Sequence, residues 1–418
     1  MKVRTLTTKR TSLLLLCALV SSYAFVCMTR NCFSSAMVFI TDAGYLNNFQ
    51  TGVINAAFYV AYAICQIIGG LLTDRFAPER FVTFGLIGAG FCNLVIYFNQ
   101  SYPVMLTMWA LNGILQFGIW PAIFKLASTM TMPTMRTRSL FIVTFANPIG
   151  VLANYLLAAL IGENWRLNFL VSAIGLAVIA VLFEATMRTL SKDIVECELF
   201  DATKKEEQGA KVSARFSSLA LSSGLCFLLA LAFLRTGFDF ATKSLTPTMI
   251  KQSYADVTPV LATLLNIIVL VMNAVGTALA YVIYPRFIKN EATVLLLLFA
   301  LALPPCIVTL FVGRISYWAI VAMLALIAMM MGAATLFTTS YIGTRFNRFG
   351  YGATVAGLLN CMSSLGIVTA FTLFPGLSES DFGWQGVSVV WVILMTLAVA
   401  LCGVILPLWR KFIKEAKS

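Results

Sequence analysis

Twelve runs of about 20 mainly apolar residues follow one another along this chain, and they limit its fold more than any other feature. A helix needs about 20 apolar residues to cross the hydrocarbon core of a bilayer. Of the 418 residues, 60% are hydrophobic and only 11% are charged, whereas a soluble domain has about 25% charged residues. The sequence therefore predicts an all-α membrane protein with the lipid bilayer as its main solvent. The runs begin near Ser12, Thr51, Phe81, Val104, Leu140, Leu167, Ser217, Val260, Thr293, Tyr317, Thr354 and Val387.

The one long polar segment divides these runs into two sets of six. We expect an N-terminal six-helix bundle over 1–187, a cytoplasmic linker over 188–216 and a C-terminal six-helix bundle over 217–418. The linker mixes acidic and basic residues and has few aromatic ones, a composition typical of a solvated, partly helical segment. Two six-helix halves joined by a cytoplasmic loop fit transporters whose halves rock around a central site.

Positive charge is distributed unevenly among the loops. Most of the 29 Lys and Arg residues lie in the two tails and in the loops after even-numbered runs, which predicts that both termini are cytoplasmic. The net charge of +12 is explained by this rule, so we expect no nucleic-acid partner. The opposite side carries four basic residues: Arg166, Lys243, Lys251 and Arg314.

The reactive residue types argue against an enzyme. Ten cysteines are present, nearly all in apolar runs, and the chain has no histidine and no Cys-x-x-Cys pair. A metal site, a cofactor and a disulfide framework are therefore not expected. The basic start resembles a signal peptide, but the many runs that follow favour an uncleaved first helix. We expect a monomeric, multi-pass protein of the cell membrane.

Two arginines inside apolar runs carry the functional prediction. A guanidinium at the centre of a bilayer costs about 2.5–3.5 kcal/mol on insertion scales, so Arg30 and Arg235 must face protein or water. Arginine stays charged and offers a planar pair of donors that suits carboxylate or phosphate. A phosphate monoester carries about −1.5 to −2 charges at neutral pH, which two arginines match. The pair predicts a small anionic substrate.

Structural alternatives exist for several of these residues. Asp239 lies one helical turn beyond Arg235 and could neutralise it, and Arg30 could pair with an acid on another helix. Lys125 lies near the inner end of the fourth run. Its side chain could extend to the membrane–water interface, which explains a lysine at this position as well as contact with a ligand does. Neutral hydrogen-bonding residues expected around the cavity are Gln66, Gln116, Tyr59, Tyr62 and Asn147. Trp120-Pro121 predicts a kink in the fourth run.

At these residues the chain resembles the organophosphate:phosphate antiporters of the major facilitator superfamily. Arg30–Met37 reads Arg-Asn-Cys-Phe-Ser-Ser-Ala-Met, similar to the family's Arg-Lys-Asn-Phe-x-x-Ala-Met, and Gln116–Pro121 is similar to Gln-Gly-Met-Gly-Trp-Pro. Leu234–Phe240 is similar to Leu-Arg-x-Gly-x-x-Asp-Trp, and Phe382–Trp384 is also shared. The resemblance implies the major facilitator fold, twelve transmembrane helices in two six-helix bundles, and no cofactor.

The resemblance also implies roles for single residues. Arg30 and Arg235 match the arginines that bind the phosphate group in that family. The pair Asp74-Arg75 is a general feature of the superfamily and is assigned, with Asp239, to gating or conformational change. Asn31, Gln66 and Ala146 stand where the family has two lysines and a histidine. The chain thus keeps the central pair of arginines with less flanking positive charge.

The sequence therefore predicts alternating-access exchange of a phosphate ester, sugar- or glycerol-phosphate-like, for inorganic phosphate. The absence of histidine and the scarcity of deep carboxylates favour exchange over proton symport. Three alternatives stay open from the residues: a proton- or sodium-coupled carboxylate transporter, a drug exporter and a non-transporting sensor. The sensor would bind its ligand without flux.

Overall fold

The computed structural model describes residues 2–75, 77–198, 216–287, 290–346, 349 and 351–415, and for some of them, including 66–75 and 195–198, the backbone alone. The chain divides into two compact units, Met1–Phe200 and Asp201–Ser418. The domain boundaries predicted at 187 and 217 stay predictions. Each unit consists mainly of long apolar helices.

The described part of the first unit contains α-helices of very different lengths, because three of the predicted runs are interrupted. A π-helix, Leu126–Met130, directly follows the helix Ile119–Lys125, and a short 3-10 turn, Pro133–Met135, precedes the helix Arg136–Thr144. The α-helices are α1 (Lys9–Arg30), α2 (Cys32–Asp42), α3 (Asn48–Arg75), α4 (Pro78–Phe98), α5 (Tyr102–Gln116), α6 (Ile119–Lys125), α7 (Arg136–Thr144), α8 (Ala146–Ile161) and α9 (Arg166–Leu190).

The described part of the second unit has a similar order of helices. A second π-helix, Phe337–Tyr341, directly follows the helix Tyr317–Leu336. The α-helices are α10 (Phe216–Ser223), α11 (Leu225–Ser244), α12 (Thr246–Ser253), α13 (Pro259–Phe287), α14 (Glu291–Val308), α15 (Tyr317–Leu336), α16 (Ile342–Arg345), α17 (Gly352–Ser378) and α18 (Gly383–Glu415).

Eleven helical stretches among the described residues are long and apolar enough to cross a membrane. They correspond to the predicted runs other than the one near Thr51, which lies in the 28-residue helix α3. Large apolar side chains are exposed along them, Leu160 at 85% and Phe84 at 69%, a surface that suits lipid and would be unfavourable in water. The prediction of an all-α membrane protein is confirmed for the body of the chain, while the count of twelve and the orientation of the termini stay predictions.

A two-stranded sheet joins the N-terminus to the start of the linker. Strand β1 (Lys2–Leu6) pairs antiparallel with β2 (Ile194–Glu198). Asp193, just before β2, accepts hydrogen bonds of 2.6 Å from the hydroxyls of Thr7 and Thr11. The prediction of a partly helical linker stays a prediction, but strand β2 within it was not foreseen, because its pairing partner lies almost 200 positions away and leaves no local pattern. The rest of the predicted linker, 199–215, lies outside the described residues.

The first, fourth and fifth predicted runs of the first unit are broken helices, the fifth at Phe145 between α7 and α8. α1 ends at Arg30, and Asn31 (φ −95°, ψ 0°) leaves helical geometry before α2 resumes at Cys32. α5 ends at Gln116 and α6 begins at Ile119, so the predicted kink beside Trp120-Pro121 is confirmed. Non-helical backbone at membrane depth is tolerated where it is buried in protein or lines a water-filled cavity. The breaks after Arg30 and after Gln116 therefore mark places to search for a site.

Candidate anion-binding site

Arg30 is the last residue of α1 before the break. The backbone N–H of Asn31 donates to the carbonyls of Met28 and Thr29, and its side-chain amide donates to the Cys27 carbonyl at 2.8 Å. These bonds satisfy carbonyls that a helix end leaves free. The break is therefore stable without a partner for Arg30, whose side chain is left to project into the interior of the first unit.

The Arg30 guanidinium lies beside an amide and an aromatic ring. Its Nε donates to Gln116 Oε1 at 3.2 Å, and its Cζ lies 4.7 Å from the ring centroid of Tyr62 and 5.9 Å from that of Phe58. Its Nη2 is buried with no hydrogen-bond partner among the described residues. No carboxylate of the described residues forms an ion pair with it. The positive charge is therefore not compensated within the described part of this unit.

Tight packing of α5 on α3 brings these groups together. Gly113 lies against the Phe58 carbonyl, where a Cβ would clash with the backbone, so only glycine permits this approach. Asn112 Oδ1 accepts a 2.7 Å hydrogen bond from Gln116 Nε2, which turns the Gln116 carbonyl oxygen toward Arg30. The amide orientation of this fully buried glutamine is thus set by its own helix.

Arg235 occupies the middle of α11 in the second unit and is only 3% exposed. Its Nη1 donates to Thr335 Oγ1 and its Nη2 to Thr236 Oγ1, both at 2.6 Å. Its Nε is buried with no hydrogen-bond partner among the described residues. Thr335 lies two residues before the π-helix Phe337–Tyr341, and π-helical turns are frequent at functional sites. In both units an arginine of the first predicted run thus meets a polar side chain of the fourth.

Asp239 lies beside Arg235, as expected from its position one helical turn further along the same helix. The closest distance between them, Arg235 Nη1 to Asp239 Oδ2, is 3.7 Å, longer than a hydrogen bond. The same oxygen lies 2.7 Å from Lys243 Nζ, and Oδ1 accepts from Asn273 Nδ2 at 2.6 Å. The acid thus has closer donors than Arg235. Two cations and one carboxylate leave the cluster with one net positive charge.

Glu291 shows how this chain treats a buried charge with a structural role. Its side chain is 0% exposed, and Oε1 lies 2.7 Å from both Nε and Nη2 of Arg345. Its other oxygen accepts from Trp409 Nε1 at 3.0 Å. Both carboxylate oxygens are therefore satisfied, as burial of a charge requires. Arg30 and Arg235 each keep a buried nitrogen without a partner, which distinguishes them from such a pair.

The remaining predicted site residues lie in varied places. Tyr59 is buried and packs on Phe58, with ring centroids 5.2 Å apart. Asn147 is exposed on α8, and no hydrogen bond joins it to Arg30 or Gln116 among the described contacts. Lys125 ends α6 directly before the first π-helix, where its carbonyl accepts from Thr129 Oγ1 at 2.7 Å. The side chains of Gln66, Asp74 and Arg75 lie outside the described residues.

The structure adds three residues that sequence reasoning did not assign to the site. Lys243 had been counted only as an outer-side charge, although its position four residues after Asp239 was a visible signal. Asn273 and Thr335 come from α13 and α15, far away in sequence. No local pattern distinguishes them from other polar residues of apolar helices.

Comparison with known proteins relates this chain to a superfamily of transporters. The sequence profile of the Major Facilitator Superfamily matches residues 19–370. The chain is similar to the probable hexose phosphate transport protein of Chlamydia trachomatis, with 31% identity over 105 residues that cover 25% of this chain and 23% of that protein. It is also similar to the membrane sensor protein UhpC of Salmonella typhimurium, with 27% identity over 161 residues that cover 38% of this chain and 36% of that protein. The matches thus span about a quarter and about a third of the lengths of these two relatives.

The likeness in fold extends over nearly the whole chain. The crystal structure of a bacterial homolog of the human lysosomal transporter Spinster, inward-facing and unoccupied, has a TM-score of 0.76 and 15% sequence identity. It covers 98% of this chain and 99% of that one. At this identity the likeness concerns the fold alone.

Proposed function

The chain belongs to the Major Facilitator Superfamily, and from that premise we propose that it exchanges a phosphate ester for inorganic phosphate across the membrane. It is a multi-pass membrane protein of a transporter superfamily and not an enzyme, as the sequence predicted, and its relatives confirm the resemblance to the organophosphate:phosphate antiporters. The identity of the transported compound and its exchange for inorganic phosphate are what we propose. The surroundings of Arg30, the cluster around Arg235 and the name of one relative support this proposal.

The observation that carries the proposal is the uncompensated charge of Arg30. A buried guanidinium with no carboxylate partner among the described residues is unfavourable unless an anion visits it. A neutral sugar or a lipophilic cation would leave the charge unpaired. A phosphate offers oxygens to the unpartnered Nη2 and forms charge-assisted hydrogen bonds with it.

The cluster around Arg235 supports a doubly charged cargo. It contributes a second net positive charge, and its unpartnered Nε leaves Arg235 a donor for a ligand oxygen. Two positive sites match the charge of a phosphate monoester, about −1.5 to −2. A relative named as a hexose phosphate transport protein agrees with that class of cargo. In this proposal Arg30 and Arg235 each bind the anion, Tyr59 and Tyr62 contact the remainder of the ligand, and Gln116 orients Arg30.

Binding and transport are linked through charge. In this proposal a bound phosphate neutralises the guanidinium group that it contacts, and this change of charge shifts the equilibrium between the states of alternating access. A chain without histidine has few groups suited to proton transfer at neutral pH. Exchange of one phosphate compound for another requires no such group, because the protein carries a bound phosphate compound in both directions across the membrane.

Counterflow in liposomes tests the proposal. Purified protein is reconstituted with internal inorganic phosphate, and uptake of labelled phosphate is measured against a panel of phosphate esters and carboxylates. We expect competition by a phosphate ester and loss of uptake in Arg30→Ala and Arg235→Ala. Arg166→Ala and Arg314→Ala are matched controls, since Arg166 lies against Tyr45 and Trp165 and Arg314 is exposed in a turn.

Three outcomes contradict the proposal in different ways. Full uptake in Arg30→Ala or Arg235→Ala removes the role of that arginine. Competition by carboxylates alone, with dependence on a proton or sodium gradient, indicates the carboxylate transporter that the residues left open. Transport of lipophilic compounds that survives loss of Arg30 indicates a drug exporter.

A sensor is the second candidate, and one comparison favours it. The relative UhpC is named a membrane sensor protein, and its match covers more of this chain than that of the hexose phosphate relative. A sensor would bind phosphate esters with the same two arginines but show no counterflow. Binding measured in detergent alongside flux in liposomes separates the two functions.

A further inference from the structure

The carboxylate of Asp239 is held by more than one neighbour, and the order of their distances is informative. Lys243 Nζ lies 2.7 Å from Oδ2 and Asn273 Nδ2 lies 2.6 Å from Oδ1. Arg235, which shares the helix with both charged residues, stays 3.7 Å away. Each carboxylate oxygen therefore has a closer donor than the arginine.

Asn273 is itself fixed to the neighbouring helix. Its Nδ2 also donates to the Ala328 carbonyl at 2.9 Å, and Gly332 packs against the Asn273 carbonyl, where a Cβ would clash. The amide is thus anchored between α13 and α15. It holds Oδ1 of Asp239 on the side of α13, so the carboxylate does not turn both oxygens toward Arg235.

Lys243 differs from Arg235 in exposure. Its side chain is 21% exposed, against 3% for Arg235 and 6% for Asp239, and its ammonium lies 4.8 Å from the ring centroid of Phe240. Asp before Lys at a spacing of four is the favourable orientation of such a pair on a helix. The lysine thus lies at the more open end of the cluster, while the arginine lies inside.

We propose that Lys243, together with Asn273, holds the Asp239 carboxylate away from Arg235 and so keeps the charge of Arg235 available to the anion. Lys243 is thereby a positioning residue, since it acts on the ligand through Asp239 and Arg235. The inference rests on the proposed function, because it assumes that an anion binds at Arg235. Asp239 makes burial of the guanidinium tolerable, and Lys243 prevents the two from neutralising each other.

The consequence of losing Lys243 follows from the charges. Without its ammonium, Arg235 becomes the nearest cation to Asp239 Oδ2, and a closer pair between them would be electrically neutral. A phosphate would then have to displace the carboxylate to bind. Removing the negative charge as well should restore an available arginine, which makes the effect reversible by a second substitution.

The test measures the affinity for inorganic phosphate in purified full-length protein, by calorimetry in detergent, for a set of variants. We expect Lys243→Met to weaken binding about tenfold or more, the size of one charge-assisted hydrogen bond. Lys243→Met/Asp239→Asn should return to within about threefold of the wild type. Lys243→Arg keeps a cation at the same place and should bind like the wild type. Asp239→Asn alone should bind at least as tightly as the wild type.

The controls separate positioning from folding. Thermal unfolding is recorded for every variant, and Lys243→Gln replaces Lys243→Met if the latter does not fold. A structural role would lower the melting temperature in Lys243→Met and in the double variant alike, without restoring phosphate affinity.

Failure of the inference differs from failure of the proposed function. Wild-type affinity in Lys243→Met, or no recovery in the double variant, overturns the role of Lys243 and leaves phosphate binding intact. If the wild type binds neither phosphate nor a phosphate ester, the proposed function fails first. The interaction between Lys243 and Asp239 is then tested through melting temperatures. Lys243→Met should lower the melting temperature less in the Asp239→Asn background than in the wild type. An equal decrease in both backgrounds overturns the role proposed for Lys243.

Discussion

Arg30 in the first unit and Arg235 in the second are buried cations of the same type in different surroundings. Arg30 lies on the Tyr62 ring and donates to the Gln116 amide, with no acid paired to it among the described residues. Arg235 donates to two threonine hydroxyls and lies beside Asp239, which Lys243 also contacts. Both arrangements leave one net positive charge. One unit thus reaches that charge without an acid, and the other by balancing an acid with a second cation.

The difference shows two ways in which a membrane protein can stabilise a deep guanidinium group without neutralising its charge. A buried charge normally acquires full partners, as Glu291 does with Arg345 and Trp409. An aromatic face and a neutral amide stabilise a guanidinium without cancelling it. A carboxylate stabilises it more and, in our proposal, would compete with the ligand if Lys243 did not also hold it. The two units should therefore respond differently to the same substitution.

The largest contrast should come from Arg30→Lys and Arg235→Lys. An ammonium cannot form the bidentate contact of a guanidinium, so we expect both variants to lose about ten- to hundredfold in initial counterflow rate. Arg235→Lys should be the more severe, because a flexible ammonium can approach Asp239 and pair with it. Equal losses at the two positions would mean that Asp239 does not compete with the ligand.

Gln116→Glu transfers the acid of the second unit to the first. The new carboxylate would stand where Gln116 Oε1 now lies, 3.2 Å from Arg30 Nε, without a lysine to balance it. We expect phosphate affinity to fall about tenfold or more, measured by calorimetry. If the affinity is unchanged while the protein stays folded, the absence of an acid beside Arg30 has no functional meaning.

Gln116→Leu and Thr335→Val compare the polar partners of the two arginines. Each removes one hydrogen bond that orients a guanidinium, at 3.2 Å and 2.6 Å respectively. We expect a three- to tenfold rise in the phosphate Kd, about what one hydrogen bond contributes. The rise should be larger for Gln116→Leu, since Arg235 keeps Thr236 and Asp239 as orienting neighbours. The opposite order would show that the acid does not hold Arg235 in place.

Tyr62→Leu should have the smallest effect. It removes a ring whose centroid lies 4.7 Å from Arg30 Cζ, a contact worth about 0.5–2 kcal/mol, so we expect phosphate affinity to fall about two- to fivefold. Tyr62→Phe keeps the ring and should bind within about twofold of the wild type. A loss in Tyr62→Phe as large as in Tyr62→Leu would assign the effect to the phenol hydroxyl, a contact with the ligand and not with the arginine.

Several parts of the fold were accessible from local patterns. Apolar runs of sufficient length predicted the helices, because in a bilayer the backbone must satisfy its own hydrogen bonds. The kink near Pro121 followed from the missing N–H of proline. The strands β1 and β2 did not follow, since each depends on a partner from the far end of the unit. The break at Asn31 was also missed, because an Asn inside an apolar run has no single conformational meaning.

Some residues of the candidate site were likewise predictable from the sequence, and others were not. Arg30 and Arg235 were predictable from the cost of burying a charge in lipid, and Asp239 from its spacing on the same helix. Gln116 was named among several neutral residues, but only the folded unit places it on Arg30. Asn147 was named with equal reason and lies exposed on α8. A polar side chain in an apolar helix has no fixed role until the neighbouring helix is known.

By itself, the sequence determined the class of protein and the two deep arginines, and it predicted an anionic ligand, because these follow from local composition and from the free energy of placing charge in lipid. Only the tertiary structure decided how much of the positive charge of Arg30 and of Arg235 is left uncompensated by neighbouring side chains. That quantity depends on side-chain distances within α11, 2.7 Å from Lys243 to Asp239 against 3.7 Å from Arg235 to Asp239. It also depends on a partner from a helix remote in sequence, because Asn273 of α13 lies 2.6 Å from the same carboxylate. Electrostatic interaction changes steeply over such differences inside a protein, and no pattern along the chain specifies them.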